Sequence, residues 1–413
     1  MTITPVSDRP FDVIVYGAAS FVGKILTRHL LERHGEAGAL RWALAGRNAG
    51  KLEEVKRELG MHSIPLILAD ATDDAALRAM AAQARVVVST VGPYALHGSA
   101  LVAACAELGT DYCDLTGEVP WMRRMIDQHQ DTARRTGARI VHTCGFDSIP
   151  SDMGVWFTQR EAQRRLGEPC VLVRGGLKAA SGGFSGGTVA SMTNVLHEAA
   201  TSAATRALLR NPYALSPDPD VAPVHQHDVM RAEFDADLGL WRAPFVMSGI
   251  NSRVVLRSHA LANYPWGRDF RYDESMLTGR GLKGRTMALG ITVGLGGMVA
   301  LLANPLTRPL LERLALPAPG TGPSPEAQAR GFFDFRFHGV TRDHRRLQVR
   351  VTGDRDPGYG STGKMLGEAA VCLALDVSRD VTPGGFWTPS TAMGEALLHR
   401  LTTHAGLGFA VVD

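Results

Sequence analysis

Cysteine is scarce in this chain, and its scatter excludes more than its number does. The five in 413 residues, Cys105, Cys113, Cys144, Cys170 and Cys372, never form a Cys-x-x-Cys pair. An odd, unpatterned set suits a reducing compartment better than a disulfide scaffold. Excess charge of either sign is also missing. At a net +3, nothing proposes nucleic acid as a partner. Residues 1–10 are a polar tail with two prolines and no apolar core, so no signal peptide is expected and the chain is expected in the cytoplasm. The length allows two domains with full cores.

What is present begins with Asp12-Val13-Ile14-Val15-Tyr16-Gly17-Ala18-Ala19-Ser20-Phe21-Val22-Gly23. An apolar run ends in glycine, and Ile25, Leu26, Leu30 and Leu31 then recur at helical spacing. Strand, tight turn and helix place backbone N–H groups and a helix's positive end at the strand's carboxyl edge, where a dinucleotide pyrophosphate binds. Gly17 permits the turn and Gly23 lets helix and strand approach closely. Ser20 stands where the middle glycine of such a loop would be, which leaves a plain strand–helix turn as the alternative.

A second apolar strand, 40–45, runs into Gly46-Arg47-Asn48, with Lys51 one helical turn on. The end of this strand faces the adenosine ribose in a dinucleotide fold. Arginine with a nearby lysine favours NADP(H) over NAD(H) there; a solvated basic helix start is the alternative. Strands at 64–68, 85–90, 111–113 and 139–142 alternate with helices at 73–83, 99–108 and 121–136. Together they predict a Rossmann-type, doubly wound parallel sheet over residues 11–150. The cofactor-binding set is then Gly17, Ala18, Ser20, Phe21, Val22, Gly23, Arg47, Lys51, Asp70, Thr90, Gly92 and Pro93. After the sixth strand, Cys144–Asp152 lies where ligands of open sheets bind, or else opens a helix capped by Ser151 or Asp152.

The chain from 151 to 383 is expected to form a second α+β domain for substrate and dimerisation, with 384–413 folding back on the first. A strand is expected at 170–177, a glycine-rich loop at 182–188 before a helix over 189–208, and paired strands at 331–340 and 347–353. A helix over 364–375 follows, and Thr388-Pro389-Ser390-Thr391 caps a last one. His225 and His227 lack a third placed ligand, so no metal is expected. Residues 287–303 carry no charge, yet fall short of the about 20 residues a membrane span needs. Gly290 and Gly294 would suit close helix packing. The segment reads as a helix against its own domain or a dimer partner, as a lipid-facing or acyl-binding surface, or as a span. Residues 317–325 read as a flexible joint.

The loop 17–23, Ala45-Gly46-Arg47 with Lys51-Leu52, Val91-Gly92-Pro93-Tyr94, Asp114-Leu115-Thr116-Gly117-Glu118 and Cys144–Asp152 occur in an order that resembles the saccharopine dehydrogenase-like oxidoreductases. Ser185-Gly186-Gly187-Thr188, Tyr359–Met365 and Gly385–Gly394 extend the resemblance over nearly the whole chain, nearest to the trans-acting enoyl reductase branch. The resemblance implies NADPH-dependent reduction of a small-molecule or carrier-bound acyl or polyketide thioester in lipid biosynthesis, with peripheral membrane contact through 287–303 and a homodimer as further expectations. It leaves open reduction of an imine or ketone on an amino-acid-like substrate, and a non-catalytic, lipid-associated NADP-binding protein. Tyr94, Ser148, Tyr359 and Lys364 are catalytic candidates by position, and nothing in the sequence selects among them.

Overall fold

The computed structural model describes residues 5–182, 186–218, 220, 224–304, 307 and 322–412. The chain divides into two compact units: 1–146 with 320–322 and 358–405, and 147–319 with 323–357 and 406–413. The first crossing falls between Phe146 and Asp147. The second domain does not run unbroken to 383, because the chain re-enters the first unit at Gly358.

In the first unit, β1 (Phe11–Tyr16), β2 (Trp42–Gly46), β3 (Leu66–Leu68), β4 (Ala84–Ser89), β5 (Asp111–Asp114) and β6 (Arg139–Val141) alternate with helices. All pair in parallel. The sheet order is 3-2-1-4-5-6, completed at the β6 edge by the short strand Gly385–Trp387. Val86, Val87 and Val88 are fully buried, as expected of a strand covered on both faces. Connections reverse direction between β1 and β4, and that switch point opens the crevice in which ligands of such sheets bind.

The re-entrant helix Thr362–Leu375 packs on β1, β4 and β5 and against the helix Phe21–His34. Gly363 sits at the helix crossing, where a Cβ would lie 2.7 Å from Ile25 Cγ2. Glu368, fully buried, accepts from His29 (2.8 Å) and from Arg400 (2.9 Å). Arg139 on β6 donates to Leu373 O (2.6 Å) and Val377 O (2.7 Å). The helix is thus fastened at its middle and its end. The last helix, Pro389–Thr403, has Thr388 as N-cap in a reciprocal capping box with Thr391, and it belongs to this unit.

The second unit holds β7 (Cys170–Ser181), β8 (Glu233–Asp235), β9 (Leu240–Ala243), β10 (Arg271–Gly279), β11 (Phe332–Thr341) and β12 (Arg346–Gly353). With Gly385–Trp387 counted as β13, the chain ends in β14 (Leu407–Val412), which pairs with β12. Residues 407–412 therefore join the second unit's sheet and not the first, a correction to the expected 384–413 element. The order is 14-12-11-7-10-9-8, antiparallel except for β7 with β10. The expected hairpin of 331–340 with 347–353 is β11–β12. Helix Ile149–Leu166 packs on β7, β11 and β12, and helix Ser248–Leu261 packs on it and on β10. The glycine-rich stretch 182–188 is shorter than expected: Gly186 already opens the helix Gly186–Thr201, and 183–185 lie outside the described residues.

Helix Gly281–Ala303 contains the uncharged run 287–303. Gly281–Leu302 is long and apolar enough to cross a membrane, yet only 11% of its most apolar window is buried. Of the joint expected at 317–325, residues 317–321 lie outside the described residues, and Pro325 opens the helix Pro325–Arg330. Among the described residues no group of side chains could hold a metal; exposed His227 instead sits 3.1 Å from Glu233.

Candidate functional site

The crevice at the switch point is built by Gly17, which has φ +86°. A Cβ there would lie 2.6 Å from Thr90 Oγ1 and 2.7 Å from Val91 Cγ2, so only glycine lets the chain turn against the end of β4. Gly23 is equally constrained, since its Cβ would run into Gly17 O. Ser20 caps the helix Phe21–His34, accepting from Gly23 N–H at 2.9 Å, and its hydroxyl lies 2.8 Å from Thr90 Oγ1. Thr90 in turn donates to Gly17 O (2.9 Å), so Thr90 buttresses the loop from β4. Ala18, buried, hydrogen-bonds Ala45 O at 3.3 Å. Among the described residues the N–H groups of Ala19, Phe21 and Val22 have no partner. Unpaired amides at a helix start are what a phosphate needs.

Beside this loop, β2 ends at Gly46, and Asn48 caps the helix Ala49–Glu58 by accepting from Lys51 N–H at 3.0 Å. Arg47 and Lys51 are exposed at that helix start. Their charges and the helix's positive end converge where the ribose 2′-phosphate of NADP(H) would lie. Asp70, beyond β3, is occupied by Thr72, whose N–H and hydroxyl donate to it at 2.9 and 2.7 Å. Those bonds, with Arg47 nearby, hold its carboxyl below the ordinary value. Asp70 therefore shapes its own turn and counterbalances Arg47. The glycine cradle, the free amides and the cationic helix start together fit NADP(H).

The catalytic candidates divide. Tyr359, in the π-helical turn Pro357–Ser361, is buried and packs edge-on against Phe21 of the loop, centroids 4.7 Å apart. Lys364 is half-buried in the first turn of the helix that follows. Thr362 at that helix start accepts from Phe146 N–H (3.0 Å) and closes on Gly145, so the segment 359–364, the loop after β6 and the phosphate loop are brought together. Tyr94 is a scaffold residue instead. It is buried, its hydroxyl donates to Ser89 O (2.9 Å), and Glu118 accepts from its N–H (2.8 Å) and that of Ala95 (2.9 Å). Gly92 and Pro93 precede it in the turn after β4, with Gly92 exposed and Pro93 half-buried. Ser148 is fully buried and donates to Asn251 Oδ1 (3.0 Å); Asn251 Nδ2 donates to Glu274 (2.9 Å), which also accepts from Tyr272. That network is internal to the second unit.

One feature was missed in the sequence. Asp114 and His142, at the ends of β5 and β6, are buried and joined at 2.7 Å, with the other carboxylate oxygen taken by the N–H groups of Thr116 (3.1 Å) and Thr143 (3.2 Å). The pair fixes the start of the loop after β6, where Thr143 has φ +62°. Asp147, in the same loop, is held near a pKa of about 7 by desolvation. The only signal available for the Asp114–His142 pair was position at two strand ends, which marks every such residue alike.

Strand order, switch point and phosphate loop define an NADP-binding oxidoreductase of the doubly wound class. Residues 13–141 match the saccharopine dehydrogenase NADP binding domain family. The chain is 39% identical over 410 residues to a trans-acting enoyl reductase of Mycobacterium tuberculosis, covering 96% of both chains. It is 40% identical over 410 residues to one from Mycobacterium leprae, covering 95% of this chain and 96% of that one. The apo saccharopine dehydrogenase (L-Glu forming) of Saccharomyces cerevisiae has the same fold at 14% identity, with a TM-score of 0.54 over 98% of this chain and all of the other. The chain belongs to the trans-acting enoyl reductase family.

Proposed function

We propose that this oxidoreductase reduces the α,β-double bond of an acyl or polyketide thioester presented by a carrier protein, in lipid biosynthesis in the cytoplasm. The observation that carries the reading is the likeness to trans-acting enoyl reductases over almost the full chain, joined to a phosphate loop of matching chemistry. NADPH, when bound, supplies the hydride that the β-carbon accepts. The chain's own work is to fix the dinucleotide through the amides of Ala19, Phe21 and Val22 and the cations Arg47 and Lys51. It must also stabilise the charge that grows on the thioester oxygen and deliver a proton to the α-carbon. Tyr359 and Lys364 are the donors assigned to the oxygen, because Tyr359 packs on Phe21 and Lys364 opens the helix that follows it.

The test is consumption of NADPH by the purified chain, offered an enoyl thioester on a carrier or on a pantetheine mimic, and separately formation of NADPH from NADP+ when it is offered saccharopine. Turnover of the thioester alone supports the proposal. Oxidation of saccharopine alone replaces it with reversible hydride transfer at a carbon–nitrogen bond, and NADPH binding with no turnover of either makes the protein a binding module.

A further inference from the structure

Helix Gly281–Ala303 is the least ordinary surface in the molecule. Gly284, Ala288 and Leu302 are buried on its inner side, which packs on β9, β10 and the helix Gly186–Thr201. Its outer side is open and apolar: Leu282 is 74% exposed, Val293 73% and Met287 54%. Gly290, Gly294, Gly296 and Gly297 have nothing within 4 Å of where a Cβ would stand. No charge occurs from 286 to 304, nor from 186 to 197 in the neighbouring helix, His197 taken as neutral. An exposed apolar surface of this extent on a water-soluble fold marks a contact with something else.

Charge tells which occupant fits. Arg280, Lys283 and Arg285 are exposed at the amino end of the helix, and among the described residues none pairs with a carboxylate. The helix dipole adds to their positive field. Arg285 stands 5.6 Å over the ring of Trp241, which packs against Phe234, itself 53% exposed. Cations beside tryptophan and phenylalanine, followed by an uncharged helix, are the chemistry of the headgroup boundary of a bilayer. A second copy of the chain would match the apolar side equally well. It would leave the three cations facing another 286–304 segment, which offers no carboxylate.

We infer that helix Gly281–Ala303 docks the protein on an anionic phospholipid surface, with Arg280, Lys283, Arg285 and Trp241 at headgroup level and the face carrying Leu289 and Val293 among the acyl chains. The buried inner side excludes a span, because Gly284 and Ala288 stay on their own sheet. This docking does not depend on the reduction reaction, so either can fail alone.

The experiment is flotation of the full-length protein with vesicles of phosphatidylcholine alone or mixed with phosphatidylglycerol, at low and high salt. Binding is expected to need phosphatidylglycerol and to fall at least about tenfold at high salt. Lys283→Glu is expected to lose at least about fivefold on the mixed vesicles, from the worth of one basic residue near an anionic surface. Val293→Glu is expected to abolish flotation while thermal unfolding and NADPH binding stay as in the parent chain. No flotation with either vesicle overturns the inference, as does binding indifferent to Val293→Glu. A dimer that Val293→Glu dissociates in light scattering, without vesicle binding, overturns it in favour of a second copy.

Discussion

Arg47 is the residue on which coenzyme choice turns. A charge-assisted hydrogen bond is worth about 1.5–3 kcal/mol, and the proposed reading sets Arg47 against a 2′-phosphate that only NADP(H) carries. Arg47→Ala should therefore raise the NADPH dissociation constant by about ten- to a hundredfold and leave NADH within about twofold, measured by calorimetry. Equal losses for both would take Arg47 off the phosphate. Glu274 offers a prediction in pH. Burial raises its pKa from 4.5 to about 7 against the hydrogen bonds that Tyr272 and Asn251 give it. A carboxyl that binds its proton more tightly when folded adds stability in full below pH 4.5, and that stability is lost as pH rises through about 7. The loss amounts to roughly 3 kcal/mol, and Asp147 contributes with the same sign. Urea unfolding at pH 5 and pH 8 should show it, and Glu274→Gln should flatten most of the difference; an unchanged profile would assign the dependence elsewhere. The turn at Gly17 and the cap at Ser20 were readable in the sequence because both are local geometry, a φ of +86° and a bond from Gly23 N–H three residues on. Asp114 with His142, and Ser148 with Asn251, act through partners 28 and 103 residues away, and neither member looks unusual alone.

At the scale of elements, the strands of the first sheet were legible because burial on both faces writes itself as unbroken apolar runs such as Val86-Val87-Val88. Gly385–Trp387 was not, since a three-residue edge strand after Pro383-Gly384 carries no period. Helix Ser248–Leu261 was hidden for another reason. Its buried face includes Arg253 and Arg257, which sit inside because they donate to carbonyls of Gly249, Leu209 and Leu215. A stripe that mixes guanidinium groups with Val254 and Val255 does not read as a core face. Helix Thr362–Leu375 was found, but its destination was not, because what it packs against is decided by Gly363. Gly363→Val should force the crossing with Phe21–His34 apart and destabilise the protein by about 1–3 kcal/mol, the usual cost of overpacking. It should weaken NADPH as well, because the displaced helix carries the start that closes on Phe146 and lies next to Tyr359. Denaturant midpoints and calorimetry on the same sample check both, and a variant with parent stability would show that the crossing has slack.

For the whole molecule, the interleaving of the chain decides what can fold alone. A doubly wound domain read from sequence would end near residue 150, and a fragment cut there retains all six strands and the entire phosphate loop. It lacks the helix that covers β1, β4 and β5. Met365, Leu366 and Leu373 of that helix are fully buried, and burying a side chain of that size is worth about 1.5–3 kcal/mol. Three of them approach the 5–15 kcal/mol that separates a typical folded domain from its unfolded chain. The cut also strands Glu368's partner His29, buried on the helix Phe21–His34, and leaves Arg139 without the carbonyls of Leu373 and Val377. The fragment 1–150 is therefore expected to lose cooperative thermal unfolding and NADPH binding, although every residue assigned to the dinucleotide is present in it. Joining 1–150 through a flexible linker to 358–405 should restore both, since that piece returns the covering helix, the seventh strand and Arg400. Cooperative melting and tight NADPH binding by 1–150 alone would mean that the first unit is complete without the returning segment, and that the burial around Glu368 contributes little to holding it.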